Sequence, residues 1–332
     1  VFIGAGAGQC HVVSTSDHGN GHRNIFIGCN SGRCRTGGKS RNVFIGSAAG
    51  QNSCANCTVI IGSTIGDNTY SDRSVMIGSC IATYTTTTSS GYSNVFMGYY
   101  TAQNHATGKY NVLFGHKTGR CFTTGCCNVA MGLCAMGADH SAAMTGNENV
   151  VLGPHAGRTL TSGGQNVFIG SYSGRSSGGN VTGTKNTALG TRSMCNVTSG
   201  NCNVAIGYDA GRDVSTSACN VFIGMCAGNN INSGGSNVAI GPNVEPASPT
   251  GSCQFIIGVG SNKWICGDSS FNIYDKDGNQ LNGGGGGSTT INNNADDRVI
   301  TGSGTANTSL LYTSDAADDL LCVDLGGRRI IK

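Results

Sequence analysis

The chain has 332 residues, of which 55 are glycine and only 11% are charged. An ordinary globular surface carries more charge, whereas a fold built largely from backbone turns suits this composition without disorder. The net charge of +3 gives no support to nucleic-acid binding, and no apolar run approaches the roughly 18 residues of a membrane span.

The first element is Val1-Phe2-Ile3, closed by Gly4, and it sets a phrase that returns down the chain. "NIFIGCNSG" starts at Asn24, "RNVFIGSAAGQ" at Arg41, "NVLFGHKTG" at Asn111 and "NVVLGPHAG" at Asn149. "NVFIGSYSG" follows at Asn166, "NVAIGYDAG" at Asn203 and "NVFIGMCAG" at Asn220. The glycine that ends each apolar run marks fifteen copies, from Gly4 through Gly28, Gly46, Gly62 and so on to Gly258. The basic spacing is 17 residues. Four intervals are longer: Gly4 to Gly28, Gly78 to Gly98, Gly132 to Gly153 and Gly170 to Gly190. Of the fourteen markers with a residue four places before them, eleven have Asn there; the others have Thr58, Ser74 and Gln254.

A unit of 17 residues cannot bury its own apolar side and must stack on its neighbours. Short runs of Val, Ile, Phe and Met between Asn and Gly read as strands with turn punctuation, and no stretch has helical spacing. The expected fold is therefore all-β, a solenoid of about fifteen coils over residues 1–260, each with two short strands and two turns. Glycines four places after the marker, such as Gly50 and Gly228, suit tight turns with positive φ.

Side chains alternate along a strand, so Val43 and Ile45 share one face and Phe44 takes the other. Val43 and Ile45 are expected to point into the coil. The middle column, which includes Phe26, Phe44, Phe96, Phe168 and Phe222, would then face outward, and no member of it is polar. Fourteen steps of about 4.8 Å make an array roughly 67 Å long. A stripe about 10 Å wide would expose roughly 670 Å², more than the 300–600 Å² of the largest patch on a typical monomer. Burial of this column in a homotrimer is the expectation; cover by other strands of the same chain is the alternative.

Beyond the array the character changes. Residues 261–282, containing "NIYDKDGNQL", read as a short hairpin-like segment. Residues 283–308 combine a flexible "GGGGG" linker with the start of a further β module. Residues 309–332 share neither period nor composition with the rest and resemble the translation of a sequencing adapter, so they are expected to be non-native or disordered. The chain starts inside a strand without Met or leader, as a fragment is expected to.

The N-V-x-I-G-x-x-A-G pattern resembles the head repeats of YadA-type trimeric autotransporter adhesins. It is still more similar to repeat arrays in the tail fibres of marine cyanophage-like viruses, which share the Asn before the strand and cysteines scattered through the turns. The resemblance covers residues 1 to about 260 and rests on fifteen weak motifs in register. It implies a left-handed parallel β-roll, three chains around one axis, and an adhesive or structural role.

Candidate chemistry is sparse. Many of the seventeen cysteines fall in repeat slots: Cys57, Cys127, Cys202, Cys219 and Cys253 five residues before a marker, and Cys80, Cys134 and Cys226 two after one. They read as small apolar fillers, with an occasional inter-coil disulfide as the alternative; Cys202 and Cys219 lie one coil apart. Cys54-x-x-Cys57 has no second pair to complete a zinc set, so no metal or cofactor is expected. Arg33, Arg120, Arg158, Arg175 and Arg212 each follow a turn glycine and should stack as a basic stripe. That stripe is either a solvated face or a contact line for an anionic glycan or lipopolysaccharide. Residues 1–260 hold eight acids, and the nearest interesting pair, Asp209 and Asp213, sits in a turn, so an enzyme is not expected. The insertions should bulge outward, because surplus residues break the stacking register. Two carry suitable receptor-contact residues: His11, His18, His22 and Arg23 in one, Tyr84 and Tyr92 in the other.

The sequence reading is thus a stiff, non-catalytic trimeric shaft or head of a virion tail fibre that presents receptor-binding regions to a host-surface glycan or protein. A bacterial trimeric surface adhesin is the alternative, and a polysaccharide-degrading tailspike a lesser one.

Overall fold

A computed structural model describes residues 1–9, 23–33, 40–53, 55–66, 72–83, 90–137 and 143–281, and two short strands near the C-terminus. It is an all-β solenoid. Fifteen strands, β1 (Phe2–Ile3) through β15 (Phe255–Val259), pair in parallel with their sequence neighbours, one per coil. Register is kept column by column: Phe26 pairs with Phe44, Ala205 with Phe222 and Phe222 with Ala239. After β15 the chain reverses. Strands β16 (Asn262–Gly267) and β17 (Ile273–Asp275) add on antiparallel and cover the last edge of the parallel stack. Residues 280–332 form a separate unit in which β18 (Cys322–Val323) pairs antiparallel with β19 (Arg329–Ile330). Among the described residues no helix is long and apolar enough to cross a membrane.

The abrupt stop of each strand on glycine has a steric cause. Gly46 sits at φ 129° and Gly207 at φ 137°, values that L side chains rarely adopt. A Cβ on Gly46 would also run into the carbonyl of Gly62 in the next coil. The marker glycines therefore stack on one another, and the chain turns through a corner too tight for any side chain.

The structure reverses the expected facing of the strands. Phe26, Phe44, Phe96, Phe168 and Phe222 are 0–2% exposed and lie in the interior of the single chain, not on an outer face awaiting a partner. The flanking columns point outward instead: Ile206, Ile223 and Met131 are 37%, 38% and 44% exposed. The Asn four places before the marker explains why. It lies two residues before the middle position and so shares its face. Its side chain reaches across the coil: Asn203 Nδ2 donates to the Ser217 carbonyl at 2.9 Å, and Asn220 Nδ2 to the Gly234 carbonyl at 3.1 Å. It also builds a ladder between coils, with Asn220 N and Nδ2 donating to Asn203 Oδ1 at 3.0 and 2.9 Å. An amide that braces the coil from inside carries the middle column inside with it.

Each coil holds one strand, where the sequence suggested two. The remaining walls are turns with left-handed residues, including Tyr172 (φ 59°), Arg192 (φ 60°), Asp209 (φ 54°) and Cys219 (φ 61°), which no extended strand contains. The walls are nevertheless hydrogen-bonded coil to coil, as in Cys226 N to Tyr208 O (2.8 Å), Gly228 N to Val244 O (2.8 Å) and Cys219 N to Asn201 O (3.0 Å). The backbone polar groups thus find partners without a second sheet.

The interior is narrow and filled by exchange of volume within a coil. Where the middle residue is Phe222, the turn position six residues on is Gly228, and a Cβ there would enter the Phe222 ring. Where the middle residue is Ala130 or Ala188, the same turn position holds Met136 or Met194, both fully buried. In these coils one large side chain serves either slot; the coil of Ala205 and Gly211 has none, and the Phe222 ring of the next coil reaches into its space.

Of the four longer intervals, the one between Gly170 and Gly190 is described in full. Its surplus at residues 177–180 is exposed, and Val181 returns to the core and bridges to Leu160. Register resumes on the far side of the bulge.

Candidate functional site

The proposed receptor-contact residues divide. His11, His18, His22 and Tyr84 lie outside the described residues. Arg23 is exposed at a left-handed position (φ 61°) just before the ladder residue Asn24. Tyr92 meets Tyr110 edge-on at 5.4 Å, and Lys109 Nζ lies 4.5 Å from the Tyr92 ring centre. The cluster is a coil-to-coil contact on the surface. Hydrogen bonding from Tyr110, then the charge of Lys109, holds the Tyr92 hydroxyl below its ordinary pKa.

Four of the turn-slot cysteines are not apolar fillers, whereas Cys80, Cys134, Cys226 and Cys253 are half-buried. Cys57, Cys127, Cys202 and Cys219 are exposed free thiols at φ 56° to 61°. The slot five residues before the marker glycine lies on the outer side of the coil, where these four thiols meet solvent. Among the described residues no three His, Cys, Asp or Glu side chains are grouped as metal ligands.

The arginine positions give the most structured surface. Arg120 Nε donates to Gln103 Oε1 of the preceding coil at 3.1 Å. Further along the same corner of the solenoid, Tyr172, Arg175, Ser177, Arg192, Cys195, Asn196, Arg212 and Asp213 line a cleft of about 460 Å³. Three successive coils supply it. Tyr172 and Arg192 come from the left-handed slot two residues after a marker glycine. Arg175, Cys195 and Arg212 come from the slot five after, and Asn196 and Asp213 from the next.

The charges in the cleft are unequal. Arg192 Nε pairs with Asp209 Oδ1 at 3.0 Å, and Arg212 pairs with Asp213 at 2.9 Å. Asn196 Nδ2 donates to Asp213 Oδ1 at 2.7 Å, and Ser177 Oγ donates to Asn196 Oδ1 at 2.8 Å. Burial pushes the Asp213 carboxyl up, yet the bonds from Arg212 and Asn196 outweigh it and hold the group below the usual carboxylate range. Arg175 has no carboxylate partner among the described residues. Its guanidinium lies over the Tyr172 ring, 5.1 Å from the centre, while His155 stacks on Tyr172 at 5.0 Å. Arg175 Nε is buried without a hydrogen-bond partner among the described residues. Cys195, also in the wall, has its thiol pKa raised by burial.

The stripe read from the sequence included Arg175 and Arg212 but missed Arg192, Tyr172 and Asn196, because it followed a single repeat slot. The cleft is made between slots. Asp209 and Asp213, set aside in the sequence as turn residues, neutralise two of its three arginines. No protein-family model matches the chain, nor does any curated protein or solved structure.

Proposed function

We propose that the chain is a structural and adhesive fibre segment: three copies pack their sheets around one axis to form a stiff shaft or head of a virion tail fibre, which presents binding regions to a host surface. The observation that carries this reading is the outer face of the parallel sheet. The residues one before the marker glycine include Ile61, Phe114, Met131, Ile169, Ile206 and Ile223, at 36–44% exposure, and those three before it are Val in most coils. The two columns form an apolar stripe roughly 67 Å long and about 10 Å wide, or roughly 670 Å². That is near the 800 Å² or so that each partner contributes to a standard interface, and above what a typical monomer leaves to water. The charge-poor surface and the glycine corners suit a rod rather than an enzyme. The acidic pair nearest to a catalytic arrangement, Asp209 and Asp213, is committed to Arg192 and Arg212.

Light scattering on the purified chain tests the reading. A trimer mass is expected, and Ile206→Asp combined with Ile223→Asp should return monomers with unchanged circular dichroism, since buried unpaired charges disfavour the interface. A monomer mass for the unmutated chain would overturn it.

A further inference from the structure

We propose that the cleft between Arg175, Arg192 and Arg212 is a binding site for an acidic saccharide, taking the carboxylate of a uronic-acid-type sugar on Arg175 and its neighbouring hydroxyls on Asn196, Ser177 and Asp213. Three observations carry the assignment. The first is the orphan donor. Arg175 Nε is buried without an acceptor among the described residues, so the guanidinium carries an unused donor. The Tyr172 ring beneath the guanidinium limits its freedom. The guanidinium end that faces the cleft is planar and can meet a carboxylate with two parallel hydrogen bonds from its terminal nitrogens.

The second is the charge count. Three arginines stand against Asp209 and Asp213, which leaves a surplus of one positive charge centred on Arg175. A densely charged polyanion such as a nucleic acid would meet both carboxylates. A polymer with one carboxylate per sugar matches a cleft in which one arginine has no carboxylate partner among the described residues. The third is the remaining lining. Asn196 and Ser177 carry both donor and acceptor atoms and Asp213 is an acceptor, a set suited to vicinal hydroxyls. The volume of about 460 Å³ is within the 300–1,000 Å³ range of small-ligand sites, and the cleft is open to solvent. Ser177 begins the exposed bulge at 177–180, so the one fully described insertion forms part of the wall.

The proposal names a ligand class for the fibre reading but does not depend on self-association, because every residue belongs to one chain. The test is calorimetric titration of the full chain with trigalacturonate, neutral galactotriose and a sulfated galactose trisaccharide, at low and high salt, with mass followed by light scattering in the same samples. Trigalacturonate should bind and galactotriose should not. Arg175→Gln should weaken binding about tenfold or more, Arg175→Lys should restore part of it, and Arg120→Gln, at a different cleft, should leave it unchanged. Equal binding of the neutral sugar, tighter binding of the sulfated one, an unchanged Arg175→Gln, or no binding by folded protein would each overturn the assignment. Loss of trimer mass with binding retained would count against the fibre reading alone.

Discussion

Phe222 and Gly228 offer a direct test of how the solenoid fills its interior. The Phe222 ring is fully buried and occupies the space where a Cβ on Gly228 would fall. Phe222→Ala should cost about 3–5 kcal/mol through lost burial and the cavity left behind. Gly228→Met should also destabilise, by about 1–2 kcal/mol for a side chain at φ 58° and about 1–3 kcal/mol for overpacking against the ring. Together the two changes copy an arrangement the chain already uses, Ala188 with Met194, where Met194 holds φ 49° and both residues are fully buried. The double variant should therefore keep only the backbone strain and sit about 2 kcal/mol below the unmutated chain. The singles sum to about 5–10 kcal/mol, so the coupling should be at least about 3 kcal/mol. Guanidinium unfolding followed by circular dichroism, at one protein concentration and with a shared slope, measures all four corners. Coupling within about 0.5 kcal/mol of zero would refute the exchange of volume, because the two slots would then not share a space.

Three further outcomes are expected. Asn203→Asp should destabilise more than the roughly 2–4 kcal/mol of Asn203→Ala, because a carboxylate oxygen would oppose the Ser217 carbonyl and Asn186 Oδ1; thermal melts should recover part of the loss at acid pH, where a protonated Asp can donate. His105 lies between Phe96 and Phe122 with Nε2 3.0 Å from the Gly108 carbonyl, and burial lowers its pKa from 6.5 to about 4. The folded state refuses a proton that the unfolded chain accepts, so this contribution is complete above pH 6.5 and is lost as pH falls toward about 4, by up to roughly 3 kcal/mol; the melting profile of His105→Phe should lack that step, since Phe122 fills the same slot one coil on. A thiol reagent should label Cys57, Cys127, Cys202 and Cys219 in the native protein, while Cys195, with its thiol pKa raised by burial, should lag; protection of the first four until unfolding would restore the reading of those cysteines as fillers.

The repeat was legible because each coil needs the same corner. A glycine at φ near 130° cannot be replaced when the next coil's carbonyl occupies its Cβ position, so the marker persists while the residues around it vary. The strands were legible for a related reason: Val, Ile and Phe between Asn and Gly leave no helical alternative. That the second expected strand is instead a left-handed turn was not legible, because Asp209, Tyr172 and Arg192 look like ordinary loop residues and nothing in their chemistry announces a left-handed backbone. The cleft was only half visible. A stripe read down one repeat slot collects Arg175 and Arg212, but a binding surface forms where two slots from different coils meet, and that meeting depends on how tightly the corner turns.

The inversion of inside and outside follows from what an all-apolar strand conceals. Alternation reveals a buried face only when the other face is polar. In Val-Phe-Ile both parities are apolar, so the triplet alone cannot say which side is the core. The deciding signal lay one step earlier, in the Asn that shares a face with the middle residue. An Asn facing water needs no fixed partner and is free to vary, whereas eleven of fourteen coils keep it, and in the structure its amide bonds across the coil and to the next Asn in line. Correcting the parity exchanges one outward column for two. The case for self-association therefore strengthens: the middle column contains Ala130, Ala188, Ala205 and Ala239, small residues that would make a shallow interface, while the columns that do face outward are Val, Ile, Leu, Met and Phe with Thr187 as a lone polar member. The sheet presents two apolar columns over fourteen steps, with Thr187 the one polar member, and its interior is already closed by its own turns; under the proposed trimer, a second and third copy of the same sheet would supply a cover of matching length and period.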